Sequence, residues 1–225
     1  MGAWRALESE HVRHVGQAVA VVIAETRAQA RDAADAVEVE YEPLPAVVDA
    51  LEALKDGAPQ LHEEAPGNLI YDWEIGDAAA TEAAFASAAR VTRMEIRNNR
   101  LVPNPMEPRA ALAQYDAAEE HYTLWTTSQN PHVARLVLSA FYNIAPEHKL
   151  RVIAPDVGGG FGSKIYIYPE EMVCLWASKK TGVPVKWTCE RTEAFLTDAH
   201  GRDHYSQAEM ALDAENRITG LRVKT

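Results

Sequence analysis

Residues 154–164 read APDVGGGFGSK and are the most informative stretch of the chain for its fold. The apolar residues before it, 150–157, predict a strand, and the residues from Pro169 onward predict a helix. Consecutive glycines at a strand end allow backbone angles that other residues adopt only at a cost, and they let a ligand approach main-chain N–H groups. A loop built only for phosphate would not need an aromatic ring in its middle, yet Phe161 stands there. The stretch therefore predicts a specialised binding loop.

The common nucleotide-binding motifs fit this loop poorly. A P-loop ends in Gly-Lys-Ser/Thr, whereas here Ser163 precedes Lys164. A dinucleotide fingerprint needs three spaced glycines; Gly158 and Gly160 match the first two, but Ser163 stands in the third place. A glycine-rich turn without chemical importance is the simpler alternative. The polar Ser-Lys exit favours a binding loop, and an unrelated nucleotide-binding α/β domain is the weaker competing hypothesis.

The composition indicates a globular protein with an ordinary core. The chain has 225 residues, of which 47% are hydrophobic and 24% charged, so it forms one large domain or two small ones. The formal net charge of −11 disfavours nucleic acid as a partner. The two cysteines, Cys174 and Cys189, form no CxxC motif, so this chain alone cannot ligate an iron–sulfur cluster. Cys174 is predicted to be a core residue. The sequence does not decide whether the two cysteines form a disulfide. No run approaches a membrane span, and we expect a cytoplasmic protein.

The first 50 residues predict a β-α-β unit. Residues 18–24, AVAVVIA, form an apolar run typical of a buried strand. Thr26 and Gln29 have the spacing of a capping box, which predicts the start of a helix. Residues 37–41 then alternate as a strand does, before two prolines.

The rest of the chain predicts further strands mixed with helices. The predicted strands are 68–75, 91–98, 110–116, 121–127, 183–189, 205–213 and 217–224, and the predicted helices are 78–88, 170–180 and a short or irregular stretch at 190–198. Strands 110–116 and 121–127 are expected to form an antiparallel hairpin, as are strands 205–213 and 217–224 around Glu215 and Asn216. Asp77 is the expected N-cap of the helix at 78–88. Another helix is expected after Asn130, an N-cap residue followed by proline. Its buried face is predicted from Val133, Leu136, Val137, Ala140 and Phe141.

Gln129 is a candidate binding residue because of its position in the chain. It lies between a predicted strand end and a helix N-terminus, where backbone N–H groups favour an anion or a polarised oxygen. On position alone, a loop glutamine bonded to local backbone is the better reading.

Four short stretches of the chain resemble those of a known family. Residues 158–164 are similar to the GGGFG loop in the large, molybdenum-binding subunit of the molybdenum hydroxylases, the family of xanthine dehydrogenase, aldehyde oxidase and aerobic carbon monoxide dehydrogenase. Residues 15–20 (VGQAVA), 127–132 (TSQNPH) and 201–203 (GRD) agree in order and spacing. The resemblance covers nearly the whole chain. It implies an α+β fold, with the C-terminal part of an α/β hammerhead domain at 1–49, a connector at 50–67 and the N-terminal part of a molybdopterin-binding domain at 68–225.

The resemblance also implies a site. It assigns Gln129, Phe161 and Arg202 to the catalytic site, and it makes Gln129 a contact of the cofactor together with the loop residues Gly158, Gly159, Gly160, Phe161 and Gly162. The metal would be held by the pterin dithiolene, so no protein ligand of the metal is expected. Arg202 would lie near the substrate end of the pocket. A surface arginine paired with Asp198 or Asp203 is an equally weighted alternative.

The family's cofactors and partners follow from the same resemblance. The cofactor is molybdopterin, expected as the cytosine dinucleotide. The partners are a small subunit with 2Fe–2S centres and a medium subunit with FAD. The remainder of the large subunit, which carries the catalytic glutamate, would also be needed. The implied reaction is oxidative hydroxylation of aldehydes or N-heterocycles, or oxidation of carbon monoxide, with oxygen from water. Ile165 stands where purine-oxidising members carry an acidic residue, and Ser163 replaces a glycine, which argues against xanthine. The isolated chain is expected to be inactive, and an inactive scaffold that retains the fold is the alternative function.

Overall fold

The computed structural model describes residues 5–225 and contains both helices and sheets. The α-helices are α1 (Arg27–Asp35), α2 (Ala50–Ala53), α3 (Ala78–Ala86), α4 (Pro131–Ala140), α5 (Pro169–Thr181) and α6 (Arg191–Thr197). The strands are β1 (Arg90–Asn98), β2 (Ala110–Asp116), β3 (His121–Thr126), β4 (Leu150–Ile153), β5 (Val185–Thr188), β6 (His204–Leu212) and β7 (Ile218–Lys224). Short 3-10 turns occupy Pro66–Asn68, Glu147–Lys149 and Ser163–Ile165. The mixed α+β class predicted from the sequence is confirmed.

The chain folds into two compact units that do not follow simple chain order. The first unit combines the residues up to Asn68 with Val102–Ala199, and the second combines Leu69–Leu101 with His200–Thr225. The domain limits predicted at residues 49 and 67 stay a prediction.

A four-stranded sheet forms the centre of the first unit, in the order β4-β3-β2-β5. Strands β2 and β3 form the predicted antiparallel hairpin, and β4 lies parallel to β3. Alternate residues of β3 are buried, as a strand with one face on a core requires. Helix α5 packs on this sheet, and Leu124, Leu138 and Leu175 are completely buried between the elements.

The second unit is a three-stranded antiparallel sheet in the order β1-β6-β7, with α3 packed against β7. It contains the hairpin of β6 and β7 that the turn at residues 213–217 predicts. Asp77 caps α3, as expected, by accepting a hydrogen bond from the Ala80 N–H. A Cβ on Gly220 would lie 3.0 Å from the Ala84 Cβ, so the helix lies close to the strand.

Three predicted strands are wrong. Residues 18–24, 37–41 and 68–75 belong to no strand in the described chain, and side chains such as Val21 and Tyr41 are 43% and 59% exposed. A β-prone run becomes a strand only when its N–H and C=O groups meet those of a neighbour, and these runs find none within residues 5–225. The capping box between them is confirmed, because Thr26 and Gln29 exchange the two expected bonds at the start of α1.

The predicted buried face of α4 is also wrong. Ala134 and Leu138 are the buried residues, whereas Val133, Leu136 and Phe141 are 49%, 48% and 71% exposed. Apolar residues occur around most of this helix, so the sequence period alone did not select the face.

Cys174 is a core residue, as the sequence predicts. Both Cys174 and Cys189 are buried and free, and neither forms a disulfide. Burial raises the pKa of each thiol to about 12, so both are protonated near neutral pH and neither is a nucleophile there. No helix in the described part of the chain combines the length and apolar character needed to cross a membrane.

Candidate functional site

Three loops of the first unit come together beside its sheet. They are the glycine loop (residues 158–164), the 105–109 loop and the 127–130 loop. Strands β3 and β4 are parallel neighbours, so the chain leaves both at the same edge of the sheet. The 127–130 loop and the glycine loop therefore begin side by side. A crevice beyond the carboxyl ends of parallel strands is a common place for a ligand.

Gln129 is bonded to the glycine loop at two points. Its backbone N–H donates to the Lys164 carbonyl at 2.8 Å, and its Oε1 accepts from the Gly162 N–H at 3.0 Å. Local backbone bonding, the simpler reading of this residue, is thus part of its role. The side chain is nevertheless exposed, and its Nε2 donates to no group among the described residues. One amide donor of Gln129 is left for a ligand.

Two glycines of the loop are required by close approach. A Cβ built on Gly160 would lie 2.3 Å from the Gln129 Oε1, and one on Gly158 would lie 2.6 Å from the Glu107 Cβ. Both distances are shorter than any real contact. Only glycine at these two positions lets the loop lie against both neighbouring loops.

Phe161 lies at the outer side of the loop. Its backbone φ of 50° is in the left-handed region, and its side chain is 75% exposed. The ring covers Gly159, where a Cβ would come within 3.0 Å of the ring atom Cε2. An exposed phenylalanine held in a strained conformation has an apolar face available to a ligand or to another part of the protein.

Ser163, which stands where purine-oxidising members carry a glycine, makes contacts that hold the loop together. It is completely buried, and both its N–H and its Oγ donate to the Gly160 carbonyl, at 3.0 and 2.9 Å. Its own carbonyl accepts from the Tyr168 hydroxyl at 2.6 Å. The serine hydroxyl therefore closes the glycine loop in a way that a glycine could not.

Lys164 and Glu107 form an ion pair under the loop. The Lys164 Nζ lies 2.8 Å from both the carbonyl oxygen and the Oε2 of Glu107. Burial by itself raises the pKa of Glu107, but the lysine hydrogen bond, the Gly158 N–H and the lysine charge outweigh it, and the pKa lies below its usual value. Glu107 is therefore ionised at neutral pH.

A second charged cluster surrounds Arg109. Its guanidinium bonds Asp198 at 2.6 Å, Glu170 at 2.9 Å and the Thr197 hydroxyl at 2.7 Å. It also lies over the Tyr168 ring, 3.7 Å from the ring centre. Burial lowers the pKa of Arg109, but the two carboxylates outweigh that effect and raise it. The cluster connects the start of α5 and the end of α6 to the loop that leads into β2.

The sequence interpretation did not single out Glu107 or Arg109 as site residues. Both lie in the short Met-Glu-Pro-Arg stretch, residues 106–109, where two opposite charges flank a proline in a loop. That pattern was the available signal. It says that the loop is charged, but it does not say that the charges point inward.

Arg202 lies in the second unit and has a backbone φ of 65°. Its two candidate carboxylate partners have other neighbours. Asp198 binds Arg109, and Asp203 lies 4.0 Å from Arg100. The proposed site role of Arg202 therefore rests on the family resemblance alone. Within residues 5–225, no three histidine, cysteine or acidic side chains are grouped to hold a metal ion.

Comparison with known families decides which loop this is. Residues 61–225 match the model of the molybdopterin cofactor-binding domain. The chain belongs to this family. Residues 3–45 match a second model, the aldehyde oxidase and xanthine dehydrogenase a/b hammerhead domain. The resemblance drawn from the sequence is confirmed, as is the order of a hammerhead part followed by a molybdopterin-binding part.

Curated relatives of this molybdopterin-binding chain are large subunits of molybdenum enzymes. The carbon monoxide dehydrogenase large chain of Hydrogenophaga pseudoflava is 41% identical over 96% of this chain and 28% of its own length. The nicotine 6-hydroxylase large subunit of Paenarthrobacter nicotinovorans is 38% identical over 96% of this chain and 26% of its own length. The chain thus spans little more than a quarter of the relatives it matches.

A solved structure agrees with the sequence relatives. The Cu,Mo-containing carbon monoxide dehydrogenase superposes with a TM-score of 0.88 at 38% identity, covering 97% of this chain and 29% of that one. Quinoline 2-oxidoreductase from Pseudomonas putida 86 gives a TM-score of 0.82 at 35% identity, over 97% of this chain and 27% of that one.

Proposed function

We propose that the chain is part of the catalytic subunit of a molybdenum hydroxylase, and that the glycine loop with Gln129 forms part of the wall around its molybdopterin cofactor. The observation that carries this proposal is the pairing of Gln129 with Gly162, which leaves the Nε2 of an exposed glutamine without a partner in the described chain. An amide donor held in place beside a glycine-rich loop suits an oxygen-rich, anionic group.

The residues present fit such a cofactor. The stretch from Gly158 to Gly160 carries no side chains of its own, and a Cβ on Gly158 or Gly160 would displace Glu107 or Gln129. The bound group would supply two-electron oxidation chemistry, with its metal held by the pterin rather than by protein. The Gln129 amide would orient an oxygen of the reacting centre, and the exposed Phe161 ring would line the substrate pocket and exclude water. Arg202 is proposed as a substrate-side residue.

The remaining parts of the active enzyme are proposed from the relatives. We infer that the cofactor is the cytosine dinucleotide form, and that electrons leave through 2Fe–2S and FAD centres on a small and a medium subunit. The general base is proposed to come from another part of the large subunit. Relatives named for carbon monoxide and for nicotine support carbon monoxide or N-heterocycles as substrates, with aldehydes as a further class. A cytoplasmic location stays a prediction.

Elemental mass spectrometry of the native complex that contains this chain tests the proposal. We expect about one molybdenum per copy of the chain, because the cofactor is a resident group. Complex purified from cells that make the cofactor, yet free of molybdenum, would contradict the proposal and support the inactive scaffold instead. Complex that contains molybdenum directs the search to carbon monoxide, aldehyde and heterocycle oxidation assays.

A further inference from the structure

We propose that Lys164 is a positioning residue: its backbone carbonyl holds Gln129 and its ammonium group holds Glu107, so that one residue joins the glycine loop to both neighbouring loops. This inference rests on the proposed function, since it concerns how the cofactor-facing groups are held. It goes further, because the proposed function gives neither Lys164 nor Glu107 a role.

The first link runs through the backbone of Lys164. Its carbonyl accepts the Gln129 N–H at 2.8 Å, and the Ser128 hydroxyl lies 3.5 Å from the same oxygen. Gly162, two residues before the lysine, donates to the Gln129 side chain. The main chain on both sides of Ser163 therefore hydrogen-bonds to Gln129, so a shift of Lys164 moves Gln129.

The second link runs through the ammonium group. The side chain of Lys164 is fully buried, and its Nζ bonds two oxygens of the same residue, Glu107, each at 2.8 Å. A buried ammonium group without partners is costly, so the lysine is bound firmly to this one residue. Charge-assisted hydrogen bonds are also shorter and stronger than neutral ones.

The third link returns from Glu107 to the start of the glycine loop. The same Oε2 that pairs with Lys164 accepts the Gly158 N–H at 2.8 Å, and the Glu107 N–H lies 3.4 Å from the Gly158 carbonyl. Glu107 therefore holds the first glycine by both of its backbone groups. Together with the missing Cβ of Gly158, this sets the distance between the two loops.

These links form a closed ring around the glycine loop. Glu107 holds its first residue, Lys164 is its last residue, and Gln129 is bonded near its end. A lysine that merely filled space would contact the core without joining these three loops. The ring predicts that removing the charge pair changes the placement of Gln129.

The test uses the assembled holoenzyme with the full-length large subunit. Glu107→Gln keeps an oxygen that can accept from Lys164 and Gly158, but it removes the charge. Lys164→Met keeps most of the length of the buried side chain and removes the ammonium group. Arg135→Met is the matched control, since Arg135 forms an exposed ion pair with Glu147 in the same unit. Molybdenum content and the Mo(V) electron paramagnetic resonance spectrum after dithionite reduction are measured for each.

We expect Glu107→Gln to retain molybdenum and to give an altered Mo(V) spectrum, because a small displacement of Gln129 changes the surroundings of the reacting centre. The effect should be absent in Arg135→Met. It should also be lost in the Gln129→Ala background, because the charge pair acts through Gln129. A purely structural role would instead give effects that add in the double variant.

The outcomes separate the two proposals. Wild-type complex without molybdenum overturns the proposed function, and this inference with it. Molybdenum-containing Glu107→Gln with a wild-type Mo(V) spectrum overturns the positioning role alone. Failure of both Lys164→Met and Glu107→Gln to yield folded complex would also overturn it, since the pair would then be a requirement of folding. Recovery of the wild-type spectrum in Glu107→Asp would strengthen the role.

Discussion

The first unit contains two buried cationic side chains, Arg109 and Lys164, that connect different parts of the structure. Arg109 is enclosed by Asp198, Glu170 and aromatic rings, and the Asp198 side chain is only 1% exposed. Lys164 is equally buried, but its partner Glu107 is 36% exposed and reaches the glycine loop. The arginine cluster connects helix ends to a sheet, whereas the lysine pair connects loops to one another. Burial of a charge therefore does not by itself tell whether it stabilises the core or places a site.

The chemistry of the two cations fits this division. A guanidinium group is planar, has five N–H donors and stacks on rings, so it can satisfy several fixed partners at once. An ammonium group is a compact charge on a flexible stem and binds a small cluster of oxygens. Arg109 accordingly donates hydrogen bonds to three different residues, whereas the ammonium group of Lys164 donates to Glu107 alone among the described residues.

Removing the arginine should have the largest effect. Arg109→Met leaves the buried Asp198 carboxylate and the neighbouring Glu170 without their cation, which we expect to lower the free energy of unfolding by about 3–5 kcal/mol. Denaturant unfolding of the purified protein measures this. The exposed Arg135 serves as the control, and Arg135→Met should cost less than about 1 kcal/mol. Equal losses in the two variants would show that the Arg109 cluster contributes no more than a surface pair.

Crowding the glycine loop should have a smaller effect on stability and a specific effect on the cofactor. In Gly160→Ala the new methyl group would lie 2.3 Å from the Gln129 Oε1, so the glutamine must move. Overpacking of this kind costs about 1–3 kcal/mol, and we expect reduced molybdenum retention. Unfolding and elemental analysis measure the two effects.

Gly201→Ala is the matched control for that substitution, because a Cβ there meets open space and its φ is not in the left-handed region. It should behave as wild type. Full molybdenum content with unchanged stability in Gly160→Ala would mean that the loop is not confined by Gln129.

The lysine pair should give the smallest change, and one that depends on pH. The pKa of Glu107 is below its usual value in the folded protein, so its ionised form stabilises the fold above the unfolded-state pKa, and this contribution is lost as the pH falls through the folded-state pKa. Glu107→Gln should therefore cost about 1 kcal/mol near neutral pH and progressively less in acid. Unfolding curves of both proteins across the acid range measure the difference. A difference that stays constant or grows in acid would contradict the ion pair.

Local signals predicted much of this structure. The capping box of Thr26 and Gln29, the N-cap of Asp77 and the hairpin of β2 and β3 depend on residues close together in the chain, and each formed as expected. The apolar run at 18–24 failed because a strand depends on a partner, which the run itself does not encode. The face of α4 failed for a related reason, since apolar residues around the helix leave the choice to its neighbours.

The family, the α+β class and the position of the glycine loop could be predicted from the chain alone, because they depend on short motifs and on backbone freedom at glycine. Which charges are buried, and which groups they bind, is evident only in the folded structure. Lys164 meets Glu107 across 57 residues, and Arg109 meets Asp198 across 89. No periodicity or local propensity specifies such pairs, because they form only when the sheet brings distant loops to the same edge. The physical cost of leaving any of these charges unpaired then maintains the arrangement.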